Sequence, residues 1–291
     1  MAEMTEEIIV GYDGSPGSEL ALHWAAREAS DRGITLTVCH AWAPEDLALL
    51  IDPPLIDVAR RHSEEIAERG VQHAEPFAGP GGVQPLQAAG SPARVLCEHS
   101  GPSTLVVVGS RGHGRLAGML LGSIAWQLAG YAQGRIVIVR EPVRRANGGP
   151  CPVVAGLDGS PASDAALLFA AEEAALRHVP VLAVCALADS PTSLGGARQA
   201  EEDFSSLLTR WEKEHPGVTV LRQVSQGSPR TALLEAGAEA QMIIVGSRGR
   251  GGVPSMTLGS VATALLHYAP CPVGIVRTAA AAQGGQGRSG L

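Results

Sequence analysis

The sequence contains an internal duplication, which restricts the chain to architectures that hold two copies of one fold. The segment IIVGYDGSPGS at 8–18 matches VVAGLDGSPAS at 153–163, an offset of 145 residues. A glycine-rich segment, VVVGSRGHGRLAGMLLGS at 106–123, returns as IIVGSRGRGGVPSMTLGS at 243–260, an offset of 137. The repeats therefore share the same order of motifs, with a shorter middle in the second copy.

These repeats predict the domain boundaries. We expect a first domain over 1–145 and a second over 150–278, joined around RRANGGPC at 144–151. The remaining segment, AAAAQGGQGRSGL at 279–291, has no apolar period and is expected to be disordered.

Within each copy, short apolar runs alternate with helical patterns. The strands predicted in the first copy are EIIVGY (7–12), TLTVCHA (35–41), VQHAEPF (71–77), LVVVGS (105–110) and RIVIVR (135–140). Helices are predicted from Pro16 behind the cap Ser15, within 55–70, near Ser91 and from Ser123. This alternation indicates an α/β fold: in each copy a doubly wound parallel sheet of the Rossmann-like type, with helices on both faces.

Composition excludes several classes of function. Only 18% of the 291 residues are charged and the formal net charge is −7, which argues against a nucleic-acid partner. The sequence contains no run of 18 apolar residues, so it predicts no membrane span. The acidic N-terminus does not resemble a signal peptide. Five cysteines without a CxxC pair, and histidines without HExxH spacing, predict no metal site. We therefore expect a cytoplasmic protein.

Two strand ends in each copy carry candidate chemistry. Asp13 and Asp158 follow the first strand of their copies, and Gly109 and Gly246 open the glycine-rich loops. In an open α/β sheet, ligands bind beyond the carboxyl ends of the strands, where the strand order reverses. If these strands are neighbours there, the carboxylate and the loop face each other across one cleft.

The glycine-rich loop leads to the start of a helix at Gly122-Ser123, and in the second copy at Gly259-Ser260. Loop amides and a helix N-terminus together suit a chain of phosphates. Plainer interpretations stay open for several of these residues. The serines could be helix caps, and the aspartates could be turn formers. Otherwise the aspartates could accept a hydrogen bond from an adenine amino group or a ribose hydroxyl, or act as metal ligands. Arg111 and Arg248 could approach phosphates or be surface charges.

Two common nucleotide-binding motifs do not fit. A Walker A loop needs lysine, and the only lysine of the chain, Lys213, lies in neither loop. A Rossmann GxGxxG follows the first strand, whereas here the glycine-rich loop follows a late strand. The spacing that remains, Gly109-x-x-Gly112, nine residues, then Gly122-Ser123, resembles the G-2x-G-9x-G-[ST] signature of ATP-binding universal stress proteins.

The second copy repeats this signature from Gly246, and DGSP, GSP and YAPCPVGIVR resemble the same family. The resemblance implies a five-stranded parallel sheet per domain with ATP across the switch point, and it leaves open whether Mg²⁺ accompanies the nucleotide. It implies that the first-domain nucleotide would contact Gly11, Tyr12, Asp13, Ala41, Gly109, Ser110, Arg111, Gly112, Gly114, Arg115, Gly122, Ser123 and Ile124. The matching positions of the second domain are Gly156, Leu157, Asp158, Ala186, Gly246, Ser247, Arg248, Gly249, Gly251, Gly252, Gly259, Ser260 and Val261.

The expected function is that of an ATP-binding regulatory or sensing module in a stress or dormancy response. Efficient catalysis is not expected, because no base recurs beside the Gly-Ser turn. Slow ATP hydrolysis stays open. The resemblance also implies a homodimer through the last strands. Pro254 removes one loop amide, so the first domain is expected to be the surer binder. The alternatives are a nucleotide-free scaffold of the same fold and an adenylyl-transferring or flavin-binding enzyme of a related fold.

Overall fold

A computed structural model describes residues 5–42, 53–112, 121–140, 151–187, 194–250 and 256–278. The chain divides into two compact units, Glu3–Arg140 and Glu141–Leu291. The predicted linker core at 144–150 and the tail predicted over 279–291 lie outside the described residues.

The described part of the first unit alternates strands and helices. Its elements are β1 (Glu7–Gly11), α1 (Pro16–Arg32), β2 (Leu36–Trp42), α2 (Pro53–Ala74), β3 (Val83–Ala89), α3 (Pro92–Glu98), β4 (Thr104–Gly109), α4 (Ser123–Tyr131) and β5 (Gly134–Val139). The five strands are all parallel and lie in the order β3-β2-β1-β4-β5.

The described part of the second unit repeats this plan. Its elements are β6 (Val153–Leu157), α5 (Pro161–Leu176), β7 (Val181–Leu187), α6 (Leu194–Glu214), β8 (Val220–Gln226), α7 (Pro229–Gly237), β9 (Met242–Gly246), α8 (Ser260–Tyr268) and β10 (Val273–Arg277). Its strand order is β8-β7-β6-β9-β10, again all parallel. The predicted doubly wound α/β class, with five parallel strands per copy, is confirmed.

The central strands are runs of β-branched residues because both faces of a parallel sheet are covered by helices. In β1, Ile8, Ile9 and Val10 are fully buried, and every residue of β5 is buried. The α1 helix begins as predicted: the Ser15 hydroxyl accepts the backbone N–H of Ser18 at 3.2 Å, and Pro16 occupies the first turn.

One predicted strand is wrong. The segment VQHAEPF at 71–77 forms the last turn of α2 and a 3₁₀ helix at Glu75–Phe77, and the third strand is Val83–Ala89. Small residues at Ser63, Ala67, Gly70 and Ala74 are buried at helical spacing, which lets α2 pack closely on the sheet. The true strand is an edge strand that contains Pro85, so its apolar signal is weak.

Candidate functional site

The strand order places the switch point of each sheet between the first and fourth strands. In the first unit β1 pairs with β4, with Val10 beside Val107. In the second unit β6 pairs with β9, with Ala155 beside Ile244. The end of the first strand and the start of the glycine-rich loop are therefore neighbours at the carboxyl edge of each sheet. This is the arrangement that the predicted cleft required.

A cavity of about 200 Å³ lies at this edge of the first unit. Ten of the predicted site residues line it: Gly11, Tyr12, Asp13, Ala41, Gly109, Arg111, Gly112, Gly122, Ser123 and Ile124. They come from the ends of three strands and the start of α4, so residues more than a hundred positions apart in sequence share one wall.

The second unit has a cavity of about 490 Å³ at the same place. Ten predicted residues line it as well: Gly156, Leu157, Asp158, Ala186, Gly246, Arg248, Gly249, Gly259, Ser260 and Val261. This volume falls in the range typical of small-molecule sites, roughly 300–1,000 Å³. The larger cavity thus belongs to the unit that the sequence ranked second.

Two of the described site residues, Ser110 and Ser247, do not line the cavity walls. Ser110 and Ser247 are buried behind them, where each serine backbone N–H donates to the last strand of its unit, at Val139 and Val276. Four predicted site residues lie outside the described residues, together with two others that the sequence singled out: Gly114, Arg115, Gly251 and Gly252, and His113 and Pro254.

Both aspartates are turn formers and also line the cavities. Asp13 Oδ1 accepts the backbone N–H of Ser15 at 3.0 Å, and Asp158 Oδ1 accepts that of Ser160 at the same distance. Asp158 Oδ2 additionally accepts the backbone N–H of Arg250 at 2.8 Å, which fastens the glycine-rich loop to the end of β6. Burial raises the pKa of the Asp158 carboxyl, but hydrogen bonds from Ser160 and from the Arg250 backbone outweigh it, so the pKa lies below its usual value.

In the first unit the glycine-rich loop rests directly on the first turn of α1. A Cβ added at Gly17 would overlap the carbonyl oxygen of Arg111, and one at Gly109 would overlap the backbone of Gly17. A Cβ at Gly112 would come within 2.6 Å of Asp13 Oδ2. The contact between the loop and α1 therefore requires glycine at positions 17 and 109, and glycine at 112 leaves room for the Asp13 carboxylate.

Gly122 and Gly259 have a different reason to be glycine. Their φ angles, −75° and −74°, are open to any residue, and an added Cβ would meet nothing nearer than 3.4 Å. The packing of the chain itself does not demand glycine there. Space left above the start of α4 and α8 suits a group that must approach the backbone amides closely.

Ser123 and Ser260 are not helix caps. The N-cap residues of α4 and α8 are Gly122 and Gly259, and neither helix start has a side-chain cap. Both serines are exposed residues at the first helical position, in the cavity wall. The capping interpretation is wrong for this pair, and their hydroxyls face the same space as the first-turn amides.

The ring of Tyr12 is held away from ligand chemistry. Its hydroxyl donates to Glu19 Oε1, the residue is 3% exposed, and a Cβ at Gly70 of α2 would come within 2.7 Å of the ring. Burial, then the hydrogen bond to Glu19, raises the pKa of Tyr12 above its usual value. The part of Tyr12 that shapes the site is its backbone, whose carbonyl lies 2.7 Å from His40 Nδ1.

Several lining residues of the first cavity, His40 and Leu96 among them, were not predicted from the sequence. His40 is a polar residue near the end of an otherwise apolar strand, a signal that could have marked it. If its Nδ1 carries the proton donated to Tyr12, Nε2 is an acceptor. Cys39 also lines this cavity, but burial raises its pKa to about 12, so it is a thiol rather than a nucleophile.

In the second cavity the missed residues include Leu233, Arg250 and Met256. Leu96 and Leu233 lie in the helices that follow the repeated GSP turns, so the repeat itself was the available signal. Arg250 stands where the first copy has His113, and its Nη2 donates to the carbonyl of Gly159 at 3.2 Å. The two cavities therefore share their backbone plan and differ in their side chains.

Other kinds of site find little support in the part of the chain that the structure describes. No cluster of three or more His, Cys, Asp or Glu side chains there could hold a metal ion. Among the described helices, none combines the length and apolarity of a membrane span. The five cysteines, all within the described ranges, form no disulfide bond.

Two doubly wound α/β units, each with a cavity at the switch point lined by a late-strand glycine loop and a helix start, define a tandem protein of the Rossmann-like class. The universal stress protein family matches residues 4–140 and 152–277. The chain belongs to the universal stress protein family, with one family domain in each half.

Full-length relatives support this assignment. A universal stress protein of Mycolicibacterium smegmatis is 36% identical over 283 residues, covering 93% of this chain and 96% of the relative. One from Mycobacterium tuberculosis is 35% identical over 284 residues, with the same coverage. The crystal structure of a universal stress protein from Archaeoglobus fulgidus has a TM-score of 0.72 at 22% identity, covering 94% of this chain and 98% of that one, which shows the shared fold.

Proposed function

We propose that each unit binds one adenine nucleotide, with ATP as the ligand, and that the chain acts as a regulatory module without efficient catalysis. The observation that carries this proposal is the recurrence of one cavity plan at both switch points. In each cavity a glycine-rich loop and the start of a helix converge, and arginine is the fixed cation in the wall: Arg111 in the first, Arg248 and Arg250 in the second.

The residues present fit a triphosphate. The open space above Gly122 and Gly259 gives access to the first-turn amides at the positive ends of the α4 and α8 dipoles, where neither helix start has a side-chain cap. The first-strand end and the apolar walls at Ala41 and Ala186 suit the base and ribose, which carry no charge. Mg²⁺, if it accompanies the nucleotide, would be held chiefly by phosphate oxygens and water.

A regulatory rather than a catalytic role follows from what recurs in both walls. Hydrolysis needs a base that orients water at the terminal phosphate. The lining carboxylates are Asp13 and Asp158, and each is engaged by the N–H two residues along the chain. Slow hydrolysis is compatible with this arrangement. Five cysteines without a disulfide bond suit a cytoplasmic location, which is part of the proposal.

Isothermal titration with ATP tests the proposal, with two nucleotides per chain expected for the natural sequence. Gly109→Ala and Gly246→Ala should each reduce the number to one, because the added Cβ meets the backbone of Gly17 or the side chain of Ala162. Gly217→Ala is the matched control: its added Cβ meets nothing within 4 Å, so both sites should remain.

The competing functions give different outcomes in the same preparation. A nucleotide-free scaffold would release no heat with ATP and show no thermal shift. An adenylyl-transferring enzyme would release pyrophosphate, and a flavoprotein would be yellow as purified. Homodimerisation through the last strands remains a prediction, which light scattering on the purified chain would decide.

A further inference from the structure

A buried arginine at the end of the last strand reaches the loop that walls the second cavity. Arg277 is the final residue of β10 and is 6% exposed. Its Nη2 donates to the carbonyl oxygen of Thr257 at 2.8 Å. Thr257 lies three residues before Ser260, where α8 begins.

The segment that Arg277 contacts is part of the cavity. Met256 and Leu258, on either side of Thr257, both line it. Leu258 is 3% exposed whereas Met256 is 53% exposed, so the segment passes from the surface into the wall over three residues. It belongs to neither a helix nor a strand, and therefore lacks a regular ladder of backbone hydrogen bonds to fix its path.

The end of β10 contacts the chain on both sides of the second glycine-rich loop, just after β9 and just before α8. On the incoming arm, the Ser247 N–H donates to the carbonyl of Val276 at 2.8 Å. The outgoing arm is tied back when the Gly259 N–H donates to the Ser247 carbonyl, also at 2.8 Å, and Arg277 adds the contact at Thr257. One strand end thus determines where the Gly259-Ser260 amides lie.

We propose that Arg277 is a positioning residue for the ligand site of the second unit, acting through Thr257 on the wall and on the start of α8. This inference rests on the proposed function, because it concerns the same cavity. Burying a guanidinium costs free energy unless its N–H groups donate hydrogen bonds. The bond from Arg277 to the Thr257 carbonyl offsets part of that cost and holds the loop in place. Arg140 occupies the matching position of the first copy.

The test uses amide hydrogen exchange on the full chain, with ATP as the probe and Arg277→Gln as the variant. Without ligand, exchange at 256–260 should rise roughly tenfold, the effect typical of one charge-assisted hydrogen bond. The ATP concentration that half-protects 259–262 should rise by a similar factor, while that for 122–125 stays unchanged. Arg277→Lys, which keeps the charge and one donor, should recover part of both effects.

Arg222→Gln is the control. Arg222 is an exposed residue of β8, it pairs with Glu212 of α6, and it lies outside both cavity walls. It should leave both regions as in the natural chain. Unchanged exchange at 256–260 in Arg277→Gln would overturn the inference, and so would exchange that rises equally throughout β6 and β9. If ATP protects neither unit of the natural chain, the proposed function fails, while the loop exchange still decides whether Arg277 positions the segment.

Discussion

Two carboxylates at the start of α5 should respond in opposite directions when each is replaced by its amide. Asp158 accepts backbone N–H groups on both oxygens, from Ser160 at 3.0 Å and from Arg250 at 2.8 Å. Asp164, one turn into the helix, has its pKa raised by burial, against the nearby Arg210, which lowers it. The fold therefore favours the charged form of one group and penalises that of the other.

The magnitude for Asp158→Asn follows from its two contacts. An asparagine oxygen can accept one N–H, but its amide then points a donor at the other. A charge-assisted hydrogen bond contributes about 1.5–3 kcal/mol when shielded from water. The carboxyl is partly shielded by the glycine-rich loop, but the Asp158 residue as a whole is exposed to solvent. Screening therefore reduces the contribution, and we expect a loss of about 1 kcal/mol in the free energy of unfolding. Asp164→Asn should change it by less than about 0.5 kcal/mol, as a gain.

The pH dependence separates this explanation from simple packing loss. The folded pKa of Asp158 lies below the value of 3.8 usual for the unfolded chain, so its stabilisation is complete above about pH 4. That stabilisation disappears as the pH falls through the folded pKa. For Asp164 the folded pKa is raised, so its penalty is present above that pKa and is absent at lower pH.

Thermal unfolding of the two variants between pH 7 and pH 3 measures these effects, with Trp211 as a fluorescent probe in the second unit. At pH 7, Asp158→Asn should lower the melting temperature by about 3 °C. The difference between it and the natural chain should shrink towards pH 3. A deficit as large at pH 3 as at pH 7 would refute the electrostatic reasoning, as would a loss at pH 7 in Asp164→Asn that exceeds the loss in Asp158→Asn.

Two further predictions concern the first unit. Gly17→Ala should displace the glycine-rich loop, because the new methyl group overlaps the Arg111 carbonyl. In a calorimetric titration it should weaken ATP binding to the first unit about tenfold, whereas Gly217→Ala should leave the affinity unchanged. Equal affinities in the two variants would contradict the packing argument. Ser15→Ala should lower the free energy of unfolding by about 1 kcal/mol in thermal unfolding, because the α1 cap is lost. Ser91→Ala removes a hydroxyl that makes no cap hydrogen bond, so it should change the stability very little. Similar losses in the two variants would exclude capping as the cause.

Much of the fold was predictable because its signals are local and doubled. The strand runs around Val10 and Val107, the cap at Ser15 and the helix start at Ser123 are each written within a few residues. The duplication confirmed each signal a second time. Where the signal was weak, at the edge strand containing Pro85, the same local reasoning placed a strand in the last turn of α2.

The candidate site was predictable in its backbone and less so in its side chains. Twenty of the predicted residues line the two cavities, because strand ends and glycine spacing determine where the backbone turns. His40, Leu96 and Arg250 were missed because their place depends on how separate elements pack. The burial of Ser110 and Ser247 has the same origin, since each donates its N–H to a neighbouring strand.

The inequality of the two cavities has a consequence for how the chain would report on its ligand. Cavities of about 200 and 490 Å³, one walled by His40 and the other by Arg250 and Met256, should have unequal dissociation constants. Under the proposed function, rising ATP would fill them in succession rather than together. A single polypeptide would then register three occupancy states across a span of concentration that one site, or two identical ones, cannot resolve.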